Sequence, residues 1–197
     1  MSRSGLVQVR VHGRGGQGVV TAAEVLSVAG FDDGLQAQAF PSFGSERMGA
    51  PVVAYCRLAD EPIRTREPVM APDAVIIVDA TLLHHVDVFA GLAPHGYVVI
   101  NSTRSPDELG LADLCARIGR ERLRVVPATD LARQHTGAPV PNICLLGAFA
   151  ALTGAVSLTG LEQAVHERMD ARIAAGNMAA ARAAHDLVSR GAVSTDV

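Results

Sequence analysis

The chain has 197 residues, 49% of them hydrophobic and 19% charged, with a formal net charge of −3 at pH 7. Aromatic residues make up only 4%, so a core must be built from Val, Leu, Ile and Ala, which suits a buried sheet under small-residue helices. The slight acidity gives no electrostatic case for nucleic acid, and no apolar run reaches membrane-spanning length without a charge or breaker.

In chain order, Val7–His12 reads as a strand and Gln17–Ala29 as a helix with apolar positions at helical spacing. Gly30 is expected to end that helix, with a turn at Asp32–Gly34 and an alternating strand at Leu35–Phe40. The breaker-rich "PSFGSERMGAP" reads as a loop. Val52–Leu58 is a strand, and Pro62–Arg66 is expected to return beside it. "DAVIIVDAT" is a continuous apolar run, hence a strand buried on both faces. A helix at Leu82–Leu92, a strand at Tyr97–Asn101, a helix at Leu111–Gly119, a strand at Leu123–Pro127 and a helix at Thr129–His135 follow. From Asn142 onward the pattern is helical, with breaks expected near Gly154 and Gly176. The Ala-rich "IAAGNMAAARAAHDL" suits close packing within the chain. The sum is one α/β domain over residues 1–197: a Rossmann-like, open and mainly parallel sheet with helices on both faces and a helical C-terminal third.

All 17 basic residues are Arg, which excludes a Schiff-base or P-loop lysine. Cys56, Cys115 and Cys144 stand far apart and form no CxxC, so they read as buried thiols rather than cluster or zinc ligands. His84 and His85 are adjacent and point in different directions, which argues against a metal site. The first residues pass directly into a strand, so no signal peptide is expected and the chain reads as soluble and cytoplasmic.

The chemistry concentrates in "VQVRVHGRGGQGVVTAAEVL", Val7 to Leu26. Gly13, Gly15 and Gly18 fit G-x-G-x-x-G between a strand and a helix, where backbone N–H groups can meet a phosphate. Gly15 is expected to need φ > 0. A dinucleotide fold also needs a carboxylate at the end of the second strand, but that strand ends "AQAFPSF". Asp32 and Asp33 precede it, and Glu46 lies too far along. NAD, an empty tight turn and another phosphate-bearing ligand all remain open. Asp79 ends a buried strand, either as a ligand position or as a cap for the helix after it.

Taken with "AFPSFGSERMGAPV", the stretch "HGRGGQG" resembles the gamma subunit of the 2-oxoacid:ferredoxin oxidoreductases, of pyruvate synthase type. The likeness continues through "EPIRTREPVMAPDAVIIVDATLL", "GYVVINST", "VVPATDLA" and "PNICLLGAFAALTGAVSL". It departs at Met48, where the family commonly has a basic residue, and at Asp130, where it often has Lys. The resemblance implies one part of an enzyme that oxidatively decarboxylates a 2-oxoacid to an acyl-CoA and is inactive without its other subunits. Thiamine diphosphate with Mg and iron–sulfur clusters would sit in partner subunits of alpha, beta and delta type, with ferredoxin or an NAD-linked subunit as acceptor.

This chain's implied share is a coenzyme A site built from Gly13, Arg14, Gly15, Gly16, Gln17, Gly18, Ser42, Glu46, Arg47 and Asn142, with no catalytic or metal-binding residue. Gln17 would orient a phosphate or cap the turn. Arg47 would add a second cation or pair with Glu46 or a partner subunit. For Asn142, which opens a buried helix, an N-cap is the first reading. Three alternatives stand beside this one: an aryl 2-oxoacid enzyme of phenylglyoxylate type, a structural adaptor without a ligand, and a stand-alone NAD-dependent dehydrogenase.

Overall fold

The computed structural model describes residues 5–42 and 48–193, the side chains of residues 192 and 193 apart. Among the described residues six strands form one open sheet in the order β2-β3-β1-β4-β5-β6. They are β1 (Val7–Arg14), β2 (Gln36–Pro41), β3 (Pro51–Ala59), β4 (Ala74–Ile77), β5 (Tyr97–Asn101) and β6 (Leu123–Val126). β1, β4, β5 and β6 pair in parallel, whereas β3 is antiparallel to both β1 and β2. Five strands therefore share a direction, and their carboxyl ends line one edge of the sheet. The α/β class is as expected, with the sheet mixed through β3 alone.

Alternation in β1 sends Val9 and Val11 to one face, beside Ala54, Cys56 and Leu58 of β3. On that face lie α1 (Val19–Asp32), α4 (Asn142–Thr153), α5 (Leu158–Arg168) and α6 (Ala171–Val193), in one continuous core. α4 has no polar side, and Ile143, Leu145, Leu146 and Phe149 are wholly buried, each contributing about 1.5–3 kcal/mol. The Ala-rich α6 packs against it through Ala180, Ala181 and Ala184.

Two glycines mark close approach rather than chain breaks. Gly30 does not end α1: the helix runs on to Asp32, and a Cβ at Gly30 would stand 2.4 Å from Leu58 Cδ2. Gly176 lies inside α6 against the end of α3 (Ala128–Thr136), where a Cβ would meet the His135 carbonyl at 3.0 Å. The helical third is broken at Gly154, as expected, and between α5 and α6 rather than at Gly176.

On the second face α2 (Ala112–Ile118) and a 3-10 turn at Ala80–His84 cover β4 and β5, with Val75, Ile77, Val98 and Ile100 beneath them. Over β1 and β3 this face buries three polar residues beside Tyr55 and Ala59. Arg10, His12 and Arg57 are 7%, 4% and 2% exposed. Arg57 donates from Nη2 to the Glu67 carbonyl (2.6 Å) and from Nε to Gln8 Oε1 (3.2 Å), with its guanidinium over the Phe40 ring. Arg10 Nη2 donates to the carbonyls of Val88 (3.1 Å) and Ala90 (2.6 Å).

These ties explain two further departures. Pro62–Arg66 forms no strand, because β3 already has a partner on each side and offers no free edge. Leu82–Leu92 is not a helix beyond His84. It continues as successive turns, whose carbonyls at Val88 and Ala90 are taken by Arg10, with a left-handed Gly91. Among the described residues no helix is long and apolar enough to cross a membrane.

Burial, reinforced by the neighbouring Arg10 guanidinium, lowers His12 to about 4 from its ordinary 6.5. The folded chain therefore holds His12 neutral where an unfolded chain would protonate it. The stability tied to this group is complete above about pH 6.5 and is lost as the pH falls toward 4, by about 3 kcal/mol in all. We expect His12→Leu to flatten the pH dependence of urea unfolding between pH 7 and 4. An unchanged slope in the variant would assign the loss to other groups.

Candidate functional site

The glycine turn connects β1 to α1 at the carboxyl edge of the sheet. Arg14 N donates to Gln17 Oε1 (2.8 Å) and Gln17 N donates to the Arg14 carbonyl (3.1 Å), closing a compact loop. Gly15 is clasped by the segment before β3: its N–H donates to the Ala50 carbonyl (2.9 Å) and its carbonyl accepts from Gly49 N (3.2 Å). The left-handed conformations fall at Gly16 (φ 92°) and Gly18 (φ 71°), not at Gly15. They turn the chain so sharply that α1 begins at Val19, with no side-chain cap and no acidic residue in its first turn.

The N–H groups of that first turn have no helical partner and carry the positive end of the helix dipole. A cleft of about 330 Å³ opens beside them, lined by Arg14, Gly15, Gly16, Gly18, the residues 19–21 and Val52. Backbone donors at a helix start, with no carboxylate among the described lining residues, can receive an anion.

Arg14 and Gln17 are bound into a network with Asp79, which ends the β4 segment. Asp79 Oδ2 accepts from Gln17 Nε2 (2.9 Å) and faces Arg14 Nε (3.2 Å). Its Oδ1 accepts from Thr81 N (2.9 Å) and Thr81 Oγ1 (2.6 Å), and Arg14 Nη2 donates to Thr81 Oγ1 (3.0 Å). Partial burial opposes ionisation of Asp79, yet the hydrogen bonds from Thr81 and Gln17 and the charge of Arg14 outweigh it and hold the carboxyl below its ordinary value. Gln17 thus caps the turn, and Asp79 does cap the turn that follows it.

Asn142 is not an N-cap. Pro141 holds that position, and Asn142 Nδ2 reaches across to the Gly18 carbonyl (3.1 Å), tying buried α4 to the turn. Ser42 is exposed just past β2, its N–H on the Val53 carbonyl (2.8 Å), so it lies on the same edge of the sheet as the turn. Glu46 and Arg47 lie outside the described residues. Met48 bridges to Gly15 and is 90% exposed beside the cleft. Among the described residues no three of His, Cys, Asp and Glu gather as a metal site. Cys56, Cys115 and Cys144 are buried, and burial pushes the Cys144 thiol up to about 12.

A dinucleotide does not fit this arrangement. In the fold that binds one, the second strand lies beside the first and delivers an acid to the ribose. Here antiparallel β3 stands between β1 and β2, so the end of β2 is one strand too far away.

The model of one protein family, pyruvate ferredoxin/flavodoxin oxidoreductase, matches residues 8–187. The chain belongs to that family. It is 48% identical over 158 residues to pyruvate synthase subunit PorC of Methanosarcina barkeri, covering 80% of this chain and 84% of the relative. The solved pyruvate oxidoreductase subunit PORC of Thermotoga maritima superposes with a TM-score of 0.78 at 31% identity, over 93% of this chain and 97% of that one. A 2-oxoglutarate:ferredoxin oxidoreductase of Magnetococcus marinus, solved with 2-oxoglutarate, coenzyme A and succinyl-CoA bound, shares the fold at 18% identity. Its TM-score is 0.71, with 95% of this chain matching 32% of that longer one.

As a member of the pyruvate ferredoxin/flavodoxin oxidoreductase family the chain corresponds to the gamma subunit. Sequence reasoning placed the turn and named Asp79 as a ligand position or a cap, but missed that Asp79 and Thr81 hold Gln17 and Arg14. The only signal for these was the position of Asp79 at the end of a buried strand.

Proposed function

We propose that the chain, the gamma subunit of a 2-oxoacid:ferredoxin oxidoreductase, receives the phosphate groups of coenzyme A at the glycine turn. The observation that carries this is the cleft of free amide donors at the start of α1, beside Arg14 and without a carboxylate among its described lining residues. A pyrophosphate matches such a site in charge and in its need for several short N–H donors. The family's reaction needs coenzyme A as acyl acceptor, and the fold is shared with an enzyme solved with that molecule bound. Pyruvate is the substrate this reading favours, because the Methanosarcina and Thermotoga relatives are named for it.

In the assembled enzyme, thiamine diphosphate and iron–sulfur clusters of the partner subunits supply decarboxylation and electron transfer, and ferredoxin takes the electrons. On this reading the partner subunits break the substrate's carbon–carbon bond, and the chain alone is inert. Its work is to anchor the coenzyme by one end, so that the thiol at the other end arrives at a fixed reach from the reacting carbon.

Hydrogen exchange on the assembled enzyme tests the assignment. Coenzyme A should slow exchange of the amides at residues 16–21. Protection confined to other segments would remove the turn from the site.

A further inference from the structure

We infer that Asp79 is a positioning residue of the phosphate cleft: its carboxylate sets the glycine turn by holding Gln17 and Arg14 at once. The inference rests on the coenzyme A reading above and deepens it. A cap for the 3-10 turn needs one oxygen only, and Oδ1 fills that role with both donors of Thr81. Oδ2 faces the other way. It takes Gln17 Nε2 and Arg14 Nε, and through them it reaches the turn backbone, because Gln17 Oε1 accepts from Arg14 N.

Both oxygens therefore face donors only. An amide in this place would set its NH2 against a donor whichever way it was turned.

The same contacts fix Arg14. Nε is on Asp79, Nη1 on the Gly49 carbonyl (3.1 Å) and Nη2 on Thr81 Oγ1. The side chains of Asp79 and Arg14 are 16% and 28% exposed, so the pair is partly shielded from competing water. Asp79 balances the Arg14 charge, which leaves the backbone amides as the main attraction for a phosphate. A turn released from Asp79 would let Gln17 and Arg14 swing, and the amides would lose their shared aim.

An exchange of partners tests this in the assembled enzyme. Asp79→Asn brings an NH2 against Gln17 or against Thr81, and Gln17→Glu brings two carboxylates together. Each single substitution should raise the Michaelis constant for coenzyme A by roughly tenfold or more, with little change for pantetheine, which has the thiol but no pyrophosphate. The double substitution trades carboxylate for amide across the Gln17 contact but leaves the new NH2 beside Arg14 Nε, so it should recover part of the loss. A loss that the double substitution does not lessen at all, or no loss in Asp79→Asn, would reduce Asp79 to a cap and overturn the inference. Equal losses for coenzyme A and pantetheine would instead overturn the phosphate reading on which it stands.

Discussion

Replacing Gly147 with leucine should leave the subunit largely unfolded. Gly147 sits mid-way along α4, and a Cβ built there would stand 2.0 Å from the Ala181 carbonyl oxygen and 2.6 Å from its carbon. Those are backbone atoms of α6, which cannot yield as the tip of a flexible side chain does. The helices are this close because α6 presents alanine at 180, 181 and 184, and because α4 has neighbours all round it. A bulky side chain must force them apart and undo the packing of both.

Overpacking of an ordinary core costs about 1–3 kcal/mol, and a backbone collision more. The total stability of a domain is only about 5–15 kcal/mol. Thermal or urea unfolding of the variant measures the effect. A midpoint like that of the parent chain would mean that α4 and α6 are further apart than this structure has them.

The parts of the fold legible in the sequence are those fixed by local periodicity. β1 alternates, β4 is uninterrupted Ala-Val-Ile-Ile, and α4 is apolar on every side, so each announces its own burial. The neighbours of a strand are not local information. That β3 would stand between β1 and β2 is a tertiary choice, and it makes a return strand at residues 62–66 impossible. Gly30 and Gly176 show the same limit from the other side. A glycine chosen for close approach looks, in sequence, like one chosen to stop a helix.

At the site the division is similar. Glycines between a strand and a helix declared the turn, but the groups that shape it come from afar. Asp79 meets Gln17 across 62 positions, and Asn142 meets Gly18 across 124. No spacing rule spans such distances. Gly15, expected at φ > 0, owes its place instead to the clasp of residues 49 and 50 on its backbone.

Gly16→Val should disable coenzyme use while leaving the subunit folded. Gly16 lies at φ 92°, where a β-branched residue is strained, so the turn must shift or hold that strain at a cost of about 1–3 kcal/mol. Gly18 would be a poorer choice, since a Cβ there strikes the buried Asn142 side chain at 2.3 Å and disturbs α4 as well. At Gly16 the nearest atom is Met48 Sδ at 3.1 Å, on a side chain that is exposed and free to move. The damage is therefore confined to the turn and its cleft. Loss of one charge-assisted hydrogen bond to phosphate corresponds to a rise in the Michaelis constant for coenzyme A of roughly ten- to a hundredfold.

The ratio of kcat/KM for coenzyme A to that for pantetheine, measured in the parent and Gly16→Val assembled enzymes, tests the phosphate cleft most directly. Pantetheine makes no use of a phosphate site, so damage to the turn that acts through stability or assembly alters both acceptors alike and cancels from the ratio. A turn that binds phosphate predicts a parent ratio well above one that collapses toward one in the variant. A ratio unchanged by the substitution, in an enzyme that still assembles, would contradict it and place the coenzyme phosphates elsewhere.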